Sequence, residues 1–352
     1  VKTIKLLGFI LVTAILIFAG FIIYSQLSWY NPPQKLILAE NTQPDTINCD
    51  SIYRILSWNI GYAGLGDNMD FFYDGGVKVR DTRQRVLINL DSILTFLKRN
   101  SDSDFILLQE VDEKSKRSYF VNEVDTIAKM GFHQAFALNY VVQMVPVPPL
   151  TPMGQVKSGI VSLSKKCAQK SVRYGYPGMF DWPNRLFNLR RCMLVNRYPT
   201  NTGKEFILIN THMSAFDDGS LKKQEMQYLK DFILAEYAKG NFVVVGGDWN
   251  QCPPEFPGTR FGENYQSDSF ILGNIDLDFL PSGWKWAYDS TAPTNRYLNE
   301  SYLKGRTFCC LIDHFLASPN IEIIQNQTIN LNFRNSDHNP IRMNFRLNNQ
   351  IK

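Results

Sequence analysis

Histidine is scarce in this chain, with four in 352 residues. The six cysteines, Cys49, Cys167, Cys192, Cys252, Cys309 and Cys310, include no C-x-x-C pair. That excludes the common zinc and dithiol motifs. The cysteines are expected as free, buried thiols, and the vicinal Cys309-Cys310 pair could make only a strained bridge. Charge of one sign is also in short supply. The 37 basic and 33 acidic residues leave a formal net charge of +4. This is not the footprint of a dedicated nucleic-acid coat protein, but it tolerates an anionic substrate. Repeats and low-complexity tracts are missing too. A chain of this length, 44% hydrophobic and 20% charged, has room for one large domain or two medium ones.

One long apolar run stands out at the amino end. Leu6 to Tyr24 reads LLGFILVTAILIFAGFIIY, without a charge. At about 1.5 Å per residue it nearly spans a hydrocarbon core of roughly 30 Å. A cleaved signal has a shorter apolar core and a small-residue cut site. Here Phe18-Ala19-Gly20-Phe21 resumes bulky residues at once. Residues 1–25 are therefore read as an uncleaved single-pass anchor. Lys2 and Lys5 precede the run and Lys35 is the first basic residue after it. This asymmetry puts the amino terminus inside and the bulk of the chain outside, in an extracytoplasmic location. Residues 26–51, with Pro32-Pro33, are expected to be a juxtamembrane linker. Residues 52–350 are read as one catalytic domain.

Within that domain, short apolar runs end in polar groups of similar kind. Tyr53 to Trp58 stops at Asn59, and Phe105 to Leu108 at Gln109-Glu110. Phe206 to Thr211 stops at His212; Phe242 to Val245 leads through Gly246-Gly247 to Asp248, Trp249 and Asn250. Leu311-Ile312 opens Asp313-His314, and Asp337-His338 precedes the alternating run Ile341 to Phe345. These lengths and alternations predict strands. Helical spacing appears between them. Val86, Leu87, Leu90, Ile93, Leu94 and Leu97 mark one helix, with Asp81 as its expected cap and Gln84 reaching back. Leu221, Tyr228, Leu229, Phe232 and Ile233 mark another. Strands alternate with helices too irregularly for a barrel. The expected fold is an α/β four-layer sandwich, two packed mixed sheets flanked by helices, plus the amino-terminal transmembrane helix.

A single Asp or Asn after a strand is usually a turn residue. Together, Glu110, Asp248, Asp313 and Asp337 raise an energetic problem if they converge. Two carboxylates 4 Å apart at an effective dielectric near 20 repel by about 4 kcal/mol. A pocket holding several must take up protons or a cation. Hard oxygen ligands with amides nearby select Mg²⁺ or Mn²⁺ over zinc. Asn59, Asn250, His212 and His338 add hydrogen-bond donors, and donors beside a cation describe a receptacle for phosphate.

The ordered set SWNIG (57–61), LLQEV (107–111), SGIVSLSK (158–165), INTHMSA (209–215), GGDWN (246–250), IDHF (312–315) and SDHNP (336–340) resembles the endonuclease/exonuclease/phosphatase superfamily. The resemblance covers nearly the whole domain and implies metal-dependent hydrolysis of phosphate esters. By position it implies Glu110 as a metal ligand, Asp337 as a further ligand or the partner of one, and Asn59 at or beside the ion, positioning that carboxylate or a phosphate oxygen. Asp248 would orient or deprotonate water, and Asn250 would hold that water or the phosphate. Asp313 would hydrogen-bond His338, which faces the phosphate; His212 would contact the phosphate or protonate the leaving oxygen. Either Asp248 or the Asp313–His338 pair could be the base. His314 is expected on the opposite strand face and His133 at the surface.

Three stretches outside these motifs bear on substrate. The glycine- and aromatic-rich segment 61–76 follows Asn59 and should overhang the site. Residues 145–152, VPVPPLTP, are apolar and stiff, and Arg190-Arg191 with Arg197 could grip a phosphate or form a solvated face. The leading reading is a nuclease-like phosphodiesterase. The alternatives are a sphingomyelinase-like phospholipid enzyme or inositol phosphate phosphatase, and an inactive binding module on the same scaffold. The expected partners are a phosphate-ester substrate (nucleic acid, phospholipid or inositol phosphate) and, through the first helix, a membrane. Nothing calls for an obligate protein partner.

Overall fold

The computed structural model describes residues 2–215, 219–262 and 272–348. The elements run α1 (Lys2–Leu27), β1 (Lys35–Glu40), β2 (Ile52–Asn59), α2 (Arg83–Arg99), β3 (Phe105–Asp112), α3 (Glu123–Ala128), β4 (His133–Val145) and β5 (Gly154–Ser164). They continue with β6 (Lys170–Gly175), β7 (Cys192–Pro199), β8 (Glu205–His212), α4 (Ser220–Ala238) and β9 (Phe242–Asp248). The last are β10 (Lys285–Ala287), β11 (Asn295–Arg296), β12 (Cys309–Cys310), β13 (Asp313–Ala317), β14 (Ile321–Thr328) and β15 (Ile341–Leu347).

Two mixed sheets pack face to face. One has the order β1-β6-β7-β8-β9-β13-β10 and the other β14-β15-β2-β3-β5-β4. Each holds one parallel pair, β8–β9 and β2–β3, among antiparallel neighbours. The central strands are buried on both faces, so their sequences read as continuous apolar runs. Alternation then sorts side chains between two interiors. Ile55, Leu107, Leu208, Val244, Phe315 and Phe345 fill the core between the sheets. Leu56, Trp58, Ile106 and Leu108 point outward against Val86, Leu90, Ile93 and Leu97 of α2. Ile207, Ile209, Val243 and Val245 meet Met226, Leu229 and Ile233 of α4. The expected four layers are those observed.

Local expectations differ from the structure in two places. The cap of α2 is Thr82, whose side chain accepts from the Arg85 N–H. Asp81 instead accepts from the Thr82 N–H, so the capping residue lies one position later. The 26–51 stretch is more than a linker. Residues 35–40 pair antiparallel with β6 as an edge strand, and Ile47 and Cys49 are buried. The strand's apolar run, Leu36 to Ala39, is short and set among polar neighbours, and as an edge strand it is largely exposed. The expected domain end at residue 350 lies outside the described residues. All six cysteines are free.

Candidate active site

Register brings the chemistry together. In the first sheet His212 pairs with Asp248 across the parallel β8–β9 ladder, and Asp248 pairs with Asp313 across β9–β13. Three polar groups thus stand in one row at the ends of three adjacent strands. In the facing sheet Asn59 ends β2, beside Gln109 of β3. A bulge in β3 between Leu108 and Val111, with Glu110 at φ +53°, turns the Glu110 carboxylate toward the same place.

The GGDWN stretch is fitted to this delivery. A Cβ on Gly246 would stand 2.6 Å from the Phe315 ring, and one on Gly247 would stand 2.0 Å from the Thr211 carbonyl oxygen. Trp249 is buried, donates its indole N–H to the His314 carbonyl at 2.9 Å and stacks on the His314 ring. Asn250, at φ +50°, donates its backbone N–H to Asp248 Oδ1 and its amide to the Met213 carbonyl. Asp248 is therefore fixed from its strand, its turn and its neighbours.

Its other carboxylate oxygen collects donors. Asn59 Nδ2 donates to Asp248 Oδ2 at 3.0 Å and to Glu110 Oε1 at 3.2 Å. His212 Nε2 lies 3.4 Å from Asp248 Oδ2 and His338 Nε2 lies 3.7 Å away. Asp313 Oδ2 is 2.8 Å from His338 Nδ1, which sets the ring orientation. Nδ2 of Asn295 stands 2.9 Å from His338 Nε2, and the Asn295 oxygen accepts from Cys310 Sγ at 3.5 Å. An amide oxygen facing Nε2 suits the charged ring and an amino group the neutral one. Asp337 accepts from the Ser336 hydroxyl, and Ser336 also donates to the Asn59 carbonyl.

Titration follows from these surroundings. Burial raises Asp248 to about 6, with Asp313 adding to the shift against His338, Asn59 and Asn250. Burial, opposed by His338 and aided by Glu110, raises Asp337 to about 7. Burial and the Asp337 charge raise Asp74 to about 7 in the same pocket. Burial opposes charge on His338, yet Asp313, Asp337 and Asp248 outweigh it and hold its pKa well above the ordinary value. His212 goes the other way: burial, Arg191 and His338 hold it well below the histidine range, so it is neutral.

A cavity of about 220 Å³ opens over these groups. Glu110, His212, Asp248, Asn250, Asp337 and His338 all line it, and Asp313 supports from behind His338. The overhanging segment contributes Tyr62, Leu65, Phe71, Tyr73 and Asp74 to the wall. Three cations also line it. Arg117 is bound to Asp112 and lies 3.7 Å over the Tyr62 ring; Arg296 donates to four backbone carbonyls. Among the described residues the Arg191 guanidinium donates to the His212 carbonyl alone, at 3.3 Å. Arg197 is held by Glu205 and Glu236 and does not line the pocket. His314 is buried on the opposite face and His133 is exposed.

Sequence reasoning missed Asn295, Asp74, Arg117 and Arg296. Asn295 and Arg296 form a two-residue strand with no apolar run to mark it. Asp74 lay within the overhanging segment and its burial was the unreadable part.

Which groups suit a metal is decided by donor chemistry. Glu110 and Asp337 both present carboxylates to the cavity, and the Glu110 charge adds to the raised Asp337 pKa. This fits a hard divalent cation. Asn59, expected at or beside the ion, accepts from the Gly61 N–H through its oxygen and turns its amino group to the carboxylates of Glu110 and Asp248. Asp248, Asp313 and His338 also lie close enough to share an ion. Their contacts instead read as a hydrogen-bonded relay, because His338 Nδ1 is committed to Asp313.

Three solved structures share the fold. An endonuclease/exonuclease/phosphatase from Beutenbergia cavernae DSM 12333 aligns with a TM-score of 0.56 at 18% identity, over 84% of this chain and 72% of that one. TDP2 of D. rerio, complexed with single strand DNA product, aligns at 0.51 and 15% identity, over 84% of this chain and 99% of that one. ANGEL2, a 2',3'-cyclic phosphatase in complex with adenosine-2',3'-vanadate, aligns at 0.53 and 15%, over 84% and 96%. No curated protein sequence matches the chain. The model of the Endonuclease/Exonuclease/phosphatase family matches residues 56–338, which runs from the strand bearing Asn59 to His338 itself. With its two sheets, its strand-end carboxylates and that match, the chain belongs to the endonuclease/exonuclease/phosphatase family, whose members act on phosphate esters.

Proposed function

We propose that the chain is a divalent-metal-dependent phosphodiesterase that hydrolyses its substrate by in-line attack of an activated water. The observation that carries this is the placement of Asp248 Oδ2 within 3.0 to 3.7 Å of Asn59, His212 and His338, beside Glu110 and Asp337 in one open cavity. Asp248, raised to about 6, is ionised at neutral pH and still basic enough to take a proton from water. Asn250 holds the water or a phosphate oxygen. His338, kept charged by its carboxylates, donates toward the phosphate or the leaving oxygen, and Asp313 fixes its orientation. This assigns the base to Asp248. His212, being neutral, binds a phosphate oxygen by hydrogen bond and does not serve as the acid. Mg²⁺ or Mn²⁺ held by Glu110 and Asp337 would neutralise charge on the phosphate oxygens when bound.

A nuclease-like substrate is the first reading. A phospholipid headgroup is the second, and the lining favours it. Of the three cations at the wall among the described residues, two are held by Asp112 and by backbone carbonyls, which leaves Arg191 alone for the phosphates of a polynucleotide. The wall is aromatic and apolar instead. Helix α1 supports the membrane setting: an 18-residue stretch of it has a mean hydropathy of 2.9 and is unburied by the domain. We take it as a single-pass anchor with the catalytic domain outside.

The test is hydrolysis of bis-(p-nitrophenyl) phosphate, DNA, RNA, sphingomyelin and inositol phosphates by the full chain in neutral detergent with Mg²⁺. Turnover of the generic diester, lost on chelation, is the expected result. A full rate in excess EDTA contradicts the metal-dependent reading.

A further inference from the structure

The end of α1 is packed on the catalytic domain. Phe21, inside the apolar run, stacks on Phe187 with ring centroids 5.6 Å apart and planes at 7°. Ser25 is buried. Phe187 belongs to a short 3-10 turn, Asn184–Phe187, and its carbonyl accepts from the Tyr140 hydroxyl. If α1 spans a bilayer, this turn sits at the depth of the last helical turns, the headgroup level. Leu189, two residues on, lines the catalytic cavity. Two residues reach at most about 7 Å. The pocket rim and the membrane surface therefore share one loop.

Donors without acceptors collect at that joint. Trp29 follows α1 directly. The Arg185 guanidinium lies 4.9 Å from its ring centre and that of Arg190 lies 5.8 Å away. Among the described residues, the indole N–H of Trp29, Nε of Arg185, and Nε and Nη1 of Arg190 are all buried without a hydrogen-bond partner. Among these residues the Arg190 guanidinium donates to Asn31 alone, at 3.5 Å. Burial, Arg173 and Arg185 press the Arg190 pKa down, so its charged neighbours are themselves cationic. Buried unpaired donors are costly, and guanidinium groups left unpaired together are more so. An anion with several acceptor oxygens, held at headgroup level, relieves both costs.

We propose that Trp29, Arg185 and Arg190 form a binding site for the phosphate of an anionic membrane lipid, at the joint between the anchor and the catalytic domain. The site rests on the reading of α1 as a membrane anchor and does not depend on the hydrolytic reading. The lipid phosphate accepts from the two guanidinium groups and the indole, and its acyl chains lie along α1. Occupancy clamps the loop that carries Asn188, Leu189 and Arg191, and so holds the pocket mouth at the bilayer surface.

The test uses thermal unfolding of the full chain in neutral detergent, with phosphatidylglycerol, phosphatidylcholine or inorganic phosphate added at equal concentration. Phosphatidylglycerol alone is expected to raise the midpoint, by on the order of 3 °C at saturation. The double variant Arg185→Gln, Arg190→Gln is expected to lose that rise. Trp29→Phe keeps the ring and removes one donor, and is expected to reduce the rise by about half; it decides the matter where the double variant does not fold. An equal rise with phosphatidylcholine, an equal rise with inorganic phosphate, or an undiminished rise in the variants each overturns the lipid site. Flotation with phosphatidylcholine vesicles separates the two readings. A chain that floats but shows no phosphatidylglycerol rise lacks the site, and one that does not float lacks the anchor on which the site rests.

Discussion

The floor and the wall of the cavity are built differently. The floor is made of strand ends, where His212, Asp248 and Asp313 stand in register and each is tied to its neighbours. The wall is made mostly of loops, the 61–76 segment and the turn around Leu189, with Asn139 and Tyr140 from the middle of β4. Register cannot drift by one residue without turning a buried strand face over. Loops can be rebuilt with little effect on the sheets beneath them. Reaction chemistry therefore belongs to the floor and substrate choice to the wall.

Substitutions at the two regions separate these roles. Asp248→Ala removes the proposed base and should lower kcat for a generic diester by about 10³-fold or more, with the unfolding midpoint little changed. A residual rate within tenfold of the native chain would remove the floor's claim to the chemistry. Asp313→Asn keeps the shape but not the charge that holds His338. It should cost about 10²-fold in kcat and move the alkaline limb of the pH–rate profile to lower pH, because the His338 pKa falls. A loss with no shift of that limb would make Asp313 merely structural.

Stability gives a third, smaller effect. Asp248 and Asp337 have folded pKa values of about 6 and about 7 against an ordinary 3.8. Their contribution is complete below about pH 4 and is lost as pH rises through 6 to 7. The metal-free chain should lose part of its midpoint over that window. Mg²⁺, which favours the ionised carboxylates, should raise the midpoint more at pH 8 than at pH 5. Equal Mg²⁺ shifts at both values, read by scanning calorimetry, would contradict the assignment. The smallest effect belongs to the wall. Tyr73→Ala should raise KM severalfold and leave kcat for a small diester nearly unchanged; a large fall in kcat would blur the division between floor and wall.

The same contrast explains what could be read from the sequence. Floor residues close or open short apolar runs, so Asn59, Glu110, His212, Asp248 and Asp313 could be picked out by position. Trp58 and Trp249 point back into the packing beneath, each with its indole N–H on a buried carbonyl. Pairing register was not legible, because sequence gives the faces of a strand but not its partner. Wall and support residues had no run to mark them. Asn295 sits on a two-residue strand, and Arg296 is buried against the carbonyls of a loop more than two hundred positions away. The strand at 35–40 was hidden for a different reason: its apolar run, Leu36 to Ala39, is only four residues long, is flanked by Lys35 and Glu40, and lies at an exposed edge.

The central claim is that Glu110 and Asp337 hold a divalent ion beside Asp248 and that hydrolysis requires it. The direct measurement is the rate of bis-(p-nitrophenyl) phosphate hydrolysis by chelated chain as Mg²⁺ is restored, in the native sequence and in Glu110→Gln. Recovery that saturates in the native chain, with a much weaker apparent Mg²⁺ affinity in the variant, is the expected result. Identical Mg²⁺ dependence in both, or none in either, would contradict it.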